Sequence, residues 1–173
     1  METEELLAII AQDEDSRHQF KAIVNNATSL AAEMVAFSNS AGGLILIGVN
    51  NEDGSRSGLT REDVGRINQV IANAATNNVR PSINPATENI QLPDGLVIVV
   101  SIGPGINKPY MDRQGYIWVK NGSDKRRVTA REELQRMFQE AALIHADEIP
   151  VNGVNEGDID QDFFDAFFNA QGN

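Results

Sequence analysis

The stretch Phe37–Asn51, FSNSAGGLILIGVNN, constrains the fold more than any other part of this chain. Leu44, Ile45, Leu46 and Ile47 form an unbroken apolar run. A strand of that kind has no polar face to offer water, so it reads as a central strand covered on both sides. Upstream, Leu30, Met34, Phe37 and Ala41 recur at the spacing of a helix stripe. Gly42-Gly43 ends that helix, because glycine takes the left-handed C-cap conformation without a Cβ penalty. Asn50 and Asn51 lie past the far end of the strand, where functional residues tend to be carried.

The same periodicities divide the rest of the chain. Leu6, Leu7, Ile9 and Ile10 predict a short amphipathic helix over Glu2–Ala11. Phe20, Ala22 and Val24 alternate with polar neighbours, which predicts a first strand near residues 19–24. The following Asn-Asn-Ala-Thr offers caps for the second helix. Thr60 caps a third helix that carries Val64, Ile67, Val70, Ile71 and Ala74 on one face. ATENIQL and GLVIVVSI are strands around the turn Pro93-Asp94-Gly95. GPGINKPY reads as a loop, GYIWVK as a strand, and NGSDKRR as a basic loop. Thr129 caps a last helix, AREELQRMFQEAALI, with Glu132 at the capping-box position. Helices and strands are mixed and one hairpin is evident, so the expected class is α+β, a mixed sheet packed with helices.

Charge is unevenly distributed. The chain of 173 residues carries a net charge of −11. Residues 1–15 hold six acids and no base, and residues 141–173 hold seven acids and no base. All fourteen bases stand in residues 16–140 against twelve acids, a surplus of +2. The overall acidity argues against indiscriminate phosphate binding, but the middle segment escapes that argument. There are no cysteines, which excludes disulfides, thiolate metal sites and cysteine nucleophiles. No apolar run approaches a membrane span, so no membrane partner is expected. The acidic N-terminus lacks the basic region of a signal peptide, and a cytoplasmic location is the expectation. From His145 onward the chain is acidic and ends in a cluster of Phe163, Phe164, Phe167 and Phe168, read as a short helix that needs a surface to cover. The chain reads as a piece of a longer protein.

Familiar catalytic motifs are missing. No G-x-x-x-x-G-K-S/T loop, G-x-G-x-x-G fingerprint or G-x-S-x-G elbow occurs. In GPGINK, Pro104 removes an amide that a phosphate cradle would use, so a plain turn is the better reading. His18 and His145 are far apart and read as ordinary histidines. Trp118 and Tyr116 stand two apart on one expected strand and read as core. Lys120, Lys125, Arg126 and Arg127 crowd into eight residues beside Asn, Gly and Ser, a composition that suits either a solvated surface or a phosphate-contacting loop.

Taken together, QFKAI, LAAEMVAFSNSAGGLILIGVNNEDGSRSGL and KPYMDRQGYIWVKNGSDKRRVTAREELQRMFQE resemble the Schlafen AlbA-type domain, a family described as DNA-binding. The resemblance implies an Alba-like, Schlafen-core sandwich over residues 14–144, with a helical lead-in at 1–13 and the start of a following region at 145–173. Bacterial members are labelled transcriptional regulators, helicase-like or ATP-binding proteins. The missing P-loop lends the last label no support.

Some animal members cut RNA with a carboxylate triad that holds a divalent metal. Carried onto this chain, the first acid falls on Glu14, the second on Gln19, and the third on Asn50-Asn51. Amides lack the charge that holds such an ion, so no catalytic residue, metal or cofactor is expected. The expected function is non-catalytic nucleic-acid binding, DNA ahead of RNA, in a bacterial transcriptional regulator. Arg17, Lys21, Lys108, Lys120, Lys125, Arg126 and Arg127 would contact phosphates, with Asn39, Asn51 and Asn121 adding hydrogen bonds. One alternative is a degenerate metal-dependent nuclease using Glu14, Glu52 and Asp53. Another is a nucleotide-binding or oligomerisation module joined through the aromatic tail.

Overall fold

The computed structural model describes residues 1–141. The elements are α1 (Thr3–Ile10), β1 (His18–Lys21), α2 (Ala27–Asn39), β2 (Gly43–Ile47) and α3 (Arg61–Asn73), which runs into a π-helical turn at Ala74–Asn78. Then follow β3 (Val79–Arg80), β4 (Ala86–Leu92), β5 (Gly95–Ile102), β6 (Met111–Asp112), β7 (Trp118–Asn121), β8 (Asp124–Arg127) and α4 (Arg131–Glu140). A four-stranded sheet has the order β1-β2-β5-β4. β1 is parallel to β2, and the other neighbours are antiparallel. Two small antiparallel pairs, β3-β6 and β7-β8, complete the strands. The class is α+β with a mixed sheet, as the residue pattern implied.

Alternation along the central strands builds two cores. Ile45, Ile47, Ile98, Val100 and Ile102 face α2 and α3, where they meet Leu30, Met34, Phe37, Ile67 and Ile71. Leu46, Val97 and Val99 face the other way, with Phe20, Ile90 and Leu92, and are covered by Leu6 and Ile10 of α1. A strand whose successive side chains enter two different cores has no polar positions, which accounts for the run Leu44–Ile47. At the helix-to-strand junction, Gly42 has a φ of 74° and its N–H bonds to the Phe37 carbonyl. A Cβ on Gly43 would collide with the Phe37 ring and the Arg17 carbonyl, so only glycine lets α2 pass this close to β1.

Several local expectations are corrected. α2 is not an amphipathic helix with one buried stripe. Every residue from Leu30 to Asn39 is buried, Glu33, Ser38 and Asn39 included, because the sheet covers one side and β6 and β7 pack against another. β1 is shorter than expected and ends at Lys21. GYIWVK becomes a strand only from Trp118. The basic segment is not a loop: Asp124–Arg127 is β8, paired with β7 in the register Trp118↔Arg127, Val119↔Arg126, Lys120↔Lys125 and Asn121↔Asp124. Gly122, with a φ of 64°, makes the tight turn between them. Thr129 does not cap α4. Ala130 holds that position and no side chain caps the helix, so the expected capping box is not formed there. The aromatic segment at 163–168 lies outside the described residues. Among the described residues no helix is long and apolar enough to cross a membrane.

α3 does carry the expected cap. Thr60 Oγ1 accepts from the Asp63 N–H, and Asp63 accepts from the Thr60 N–H in return. Thr60→Ala removes one half of this exchange. It is expected to lower stability by about 1 kcal/mol, read as a lower urea midpoint with an unchanged slope.

Candidate functional site

Three positions on α2 organise the polar face of the domain. Glu33, Phe37 and Ser40 follow one another at helical spacing, so they fall on one side of α2 and just past its end. Each is met by lysine. Lys125 Nζ is 2.7 Å and Lys21 Nζ 3.3 Å from Glu33 Oε1. Lys120 Nζ sits 5.0 Å from the centre of the Phe37 ring. Lys108 Nζ donates to the Ser40 carbonyl at 2.8 Å, and the Ser40 hydroxyl accepts from the Lys120 N–H at 2.9 Å.

The hairpin register decides which basic residues take part. Side chains directly opposite on an antiparallel pair share a face, and alternate residues switch faces. Trp118, Lys120, Lys125 and Arg127 therefore share one face of the β7-β8 hairpin, and Val119 and Arg126 share the other. Within the first set, Lys120, Lys125 and Trp118 contact α2, and Lys120 also reaches β1. Lys120 Nζ donates to Gln19 Oε1 at 3.0 Å and to the Ser123 carbonyl at 2.5 Å. Lys125 Nζ lies 5.9 Å from the Trp118 ring, and the Arg127 guanidinium stacks 3.4 Å from the centre of the Tyr116 ring. Lys120 and Lys125 stand directly opposite one another, an arrangement of like charges that is unfavourable alone. The acceptors supplied by Gln19 and Glu33 offset it. Burial still pushes the Lys120 ammonium below its ordinary pKa, against the pull of Glu33 and Glu14.

The other expected site residues are dispersed. Arg126 faces the opposite way and forms a two-pronged pair with Glu133 of α4, at 2.9 and 2.6 Å. Asn39 is buried, and its amide is engaged within the protein. Its Nδ2 donates to the Tyr110 and Trp118 carbonyls, both at 2.9 Å, and its Oδ1 accepts from the Tyr110 N–H at 2.7 Å. Arg17 is exposed just before β1, and Asn121 is exposed at the hairpin tip. Asn51, Glu52 and Asp53 are exposed in the loop after β2, where the Asn50 side chain accepts from the Glu52 N–H and Asp53 accepts from the Ser55 N–H. Glu14 is built into the edge of β1: its Oε1 accepts from the Gln19 side chain and from the Phe20 N–H, both at 2.5 Å. His18 pairs with Asp15 at 3.1 Å and takes no part in the lysine face. Among the described residues no three of His, Cys, Asp and Glu are grouped so as to hold a metal ion.

Glu33 and Ser40 were missed from sequence. A signal for Glu33 existed: it is the one charged residue in the helix ATSLAAEMVAFSN, and a charge in such a run has to be paired if the helix is buried.

The fold and this face define an α+β domain with a lysine-lined polar surface on a buried helix. The family profile described as Schlafen, AlbA_2 matches residues 14–129, and the chain belongs to that family. Among solved structures, the chain is similar to the DIP2311 protein of Corynebacterium diphtheriae, at 16% identity and a TM-score of 0.58 over 79% of this chain. It spans 28% of that protein's length. It is also similar to the N-terminal domain of a helicase RecG-related protein of Nitrosomonas europaea, at 22% identity, a TM-score of 0.45, and 75% and 94% coverage of the two chains. No curated protein matches.

Asn39 holds Tyr110 and Trp118 against α2, so its removal would orphan three backbone groups in a largely buried setting. Asn39→Ala is expected to cost about 3 kcal/mol, measured by urea unfolding.

Proposed function

We infer that this domain binds nucleic acid through the phosphate backbone, without catalysing a reaction. The observation that carries the reading is the convergence of Lys21, Lys120 and Lys125 on one side of α2 from β1 and the β7-β8 hairpin, with Lys108 bound to the Ser40 carbonyl at the end of the helix. Glu33 to Ser40 spans about 10 Å of helix, or about three nucleotide steps of one strand. Lysines held at that scale suit a repeating anion better than a single one. Family membership is in keeping with this role.

Duplex DNA is the preferred ligand in this reading. Single-stranded RNA is read largely by stacking unpaired bases on free aromatic faces. Here Arg127 covers Tyr116, and the Trp118 indole N–H is tied to Asp112 at 2.8 Å. Phosphate contact then dominates, and the domain serves as the DNA-recruiting module of a larger regulator. The nuclease alternative gains nothing from the geometry, because Glu14 is occupied by β1 and Gln19 serves as an acceptor for Lys120.

Fluorescence anisotropy with a labelled duplex tests this. Binding is expected at about 50 mM salt, with log K falling linearly against log salt. Lys108→Met and Lys120→Met should each flatten that slope by about one unit, whatever the DNA sequence. Arg126→Ala should leave it nearly unchanged, since Arg126 faces Glu133. Absence of binding by the wild type at low salt overturns the reading.

A further inference from the structure

Glu33 is buried to 3% exposure in the middle of α2, and its carboxylate is unevenly matched. Lys125 and Lys21 both approach Oε1, at 2.7 and 3.3 Å, while Oε2 is buried without a hydrogen-bond partner. Two cations thus share one acceptor atom. Removing every partner from a buried carboxylate strands its charge and is strongly unfavourable. One lysine must therefore remain on Glu33 at all times. Neutralising a single negative charge does not require the second. Both lysine side chains reach solvent, at 32% and 26% exposure, and they stand on separate elements, β1 and β8. Lys120 is under no such obligation, because the acceptors of its ammonium are the neutral carbonyls of Gln19 and Ser123.

We propose that Lys21 and Lys125 act as a shared pair in which one lysine stays on Glu33 and the other is released to a phosphate, so that Glu33 sets how many phosphates this end of the lysine row engages. The proposal rests on the nucleic-acid reading above and specifies how that face is tuned. Glu33 itself touches no ligand, since its oxygens are hidden beneath the lysines. It is a positioning residue that acts through them. With Glu33 charged, the pair supplies one contact. With Glu33→Gln, it supplies two. With Glu33 charged and either lysine missing, it supplies none, because the remaining lysine is held.

The salt dependence of duplex-DNA binding by the whole chain reads these counts, at about one unit of slope per phosphate contact. Glu33→Gln is expected to steepen the slope by about one unit and to tighten binding roughly fivefold near 100 mM salt. Lys21→Met flattens the slope by about one unit, and adding Glu33→Gln to Lys21→Met returns it to the wild-type value. An unchanged or flatter slope in Glu33→Gln overturns the proposal. So does a Lys21→Met loss that persists in the double variant, since that is the behaviour of independent contacts. Should Glu33→Gln fail to fold, urea unfolding of the lysine variants decides. Lys21→Met and Lys125→Met should each shift the midpoint slightly and together shift it far more than their sum, up to complete loss of folding. Additive shifts overturn the sharing. If wild type and variants alike fail to bind DNA, the nucleic-acid reading falls, and the urea series still judges the shared pair separately.

Discussion

Asn39 is the residue on which the polar face depends. Its side chain joins the end of α2 to Tyr110 and Trp118 through three hydrogen bonds. No apolar contact would do the same, because only a group with two donors and an acceptor can satisfy two carbonyls and one N–H together. Trp118 opens β7, so this bridge sets where the hairpin sits on α2. Once Trp118 is fixed, the pleat carries Lys120 toward Gln19, and the cross-strand register carries Lys125 toward Glu33. The Trp118 indole N–H and the Asp112 carboxylate close the same structure from the β6 side. The positions of Lys120 and Lys125 are therefore a consequence of a buried amide with no charge of its own.

A chain of net charge −11 can still present a basic face, because its acids and bases are put to different uses. Glu33 and Glu14 lie beneath or beside that face and are bound to it: Glu33 by two lysines, Glu14 by the edge of β1. Glu133 neutralises Arg126 on the other side of the hairpin. Within the middle segment, where acids and bases are interspersed along the sequence, the two-residue period of the strands sorts the bases of the hairpin by side.

Much of the fold was legible from residue patterns. The apolar run Leu44–Ile47, the glycine pair before it, the Thr60 cap and the hairpin around Pro93-Asp94 are local signals, and each is realised. The reading failed where the local pattern was weak or misleading. Asn-Gly-Ser-Asp-Lys-Arg-Arg looks like a loop because its alternate residues are all polar. β8 exists because β7 offers a partner strand and Gly122 permits the turn. Thr129 and Glu132 have the spacing of a capping box, yet α4 begins at Arg131, one residue too late for Thr129 to serve as cap. The basic cluster near residue 125 was legible as a composition, but its division between two sides of a hairpin was not.

The same division runs through the site. Periodicity, caps and glycine placement act over a few residues, so they can be read along the chain, and they dictate the helices, the central strands and the α+β class. The partners of Glu33 and Asn39 are another matter. Lys125 is 92 positions from Glu33, and Tyr110 and Trp118 are 71 and 79 from Asn39. A side chain's hydrogen-bonding groups are visible in the sequence, but which distant groups satisfy them follows from how the sheet, α2 and the hairpin pack. Asn39 looked like a ligand contact and is a brace, whereas Glu33 looked like part of a helix and is the counter-charge of the lysine face. Burial on all sides of α2 makes that difference, because a polar group cut off from water must find its partners within the protein.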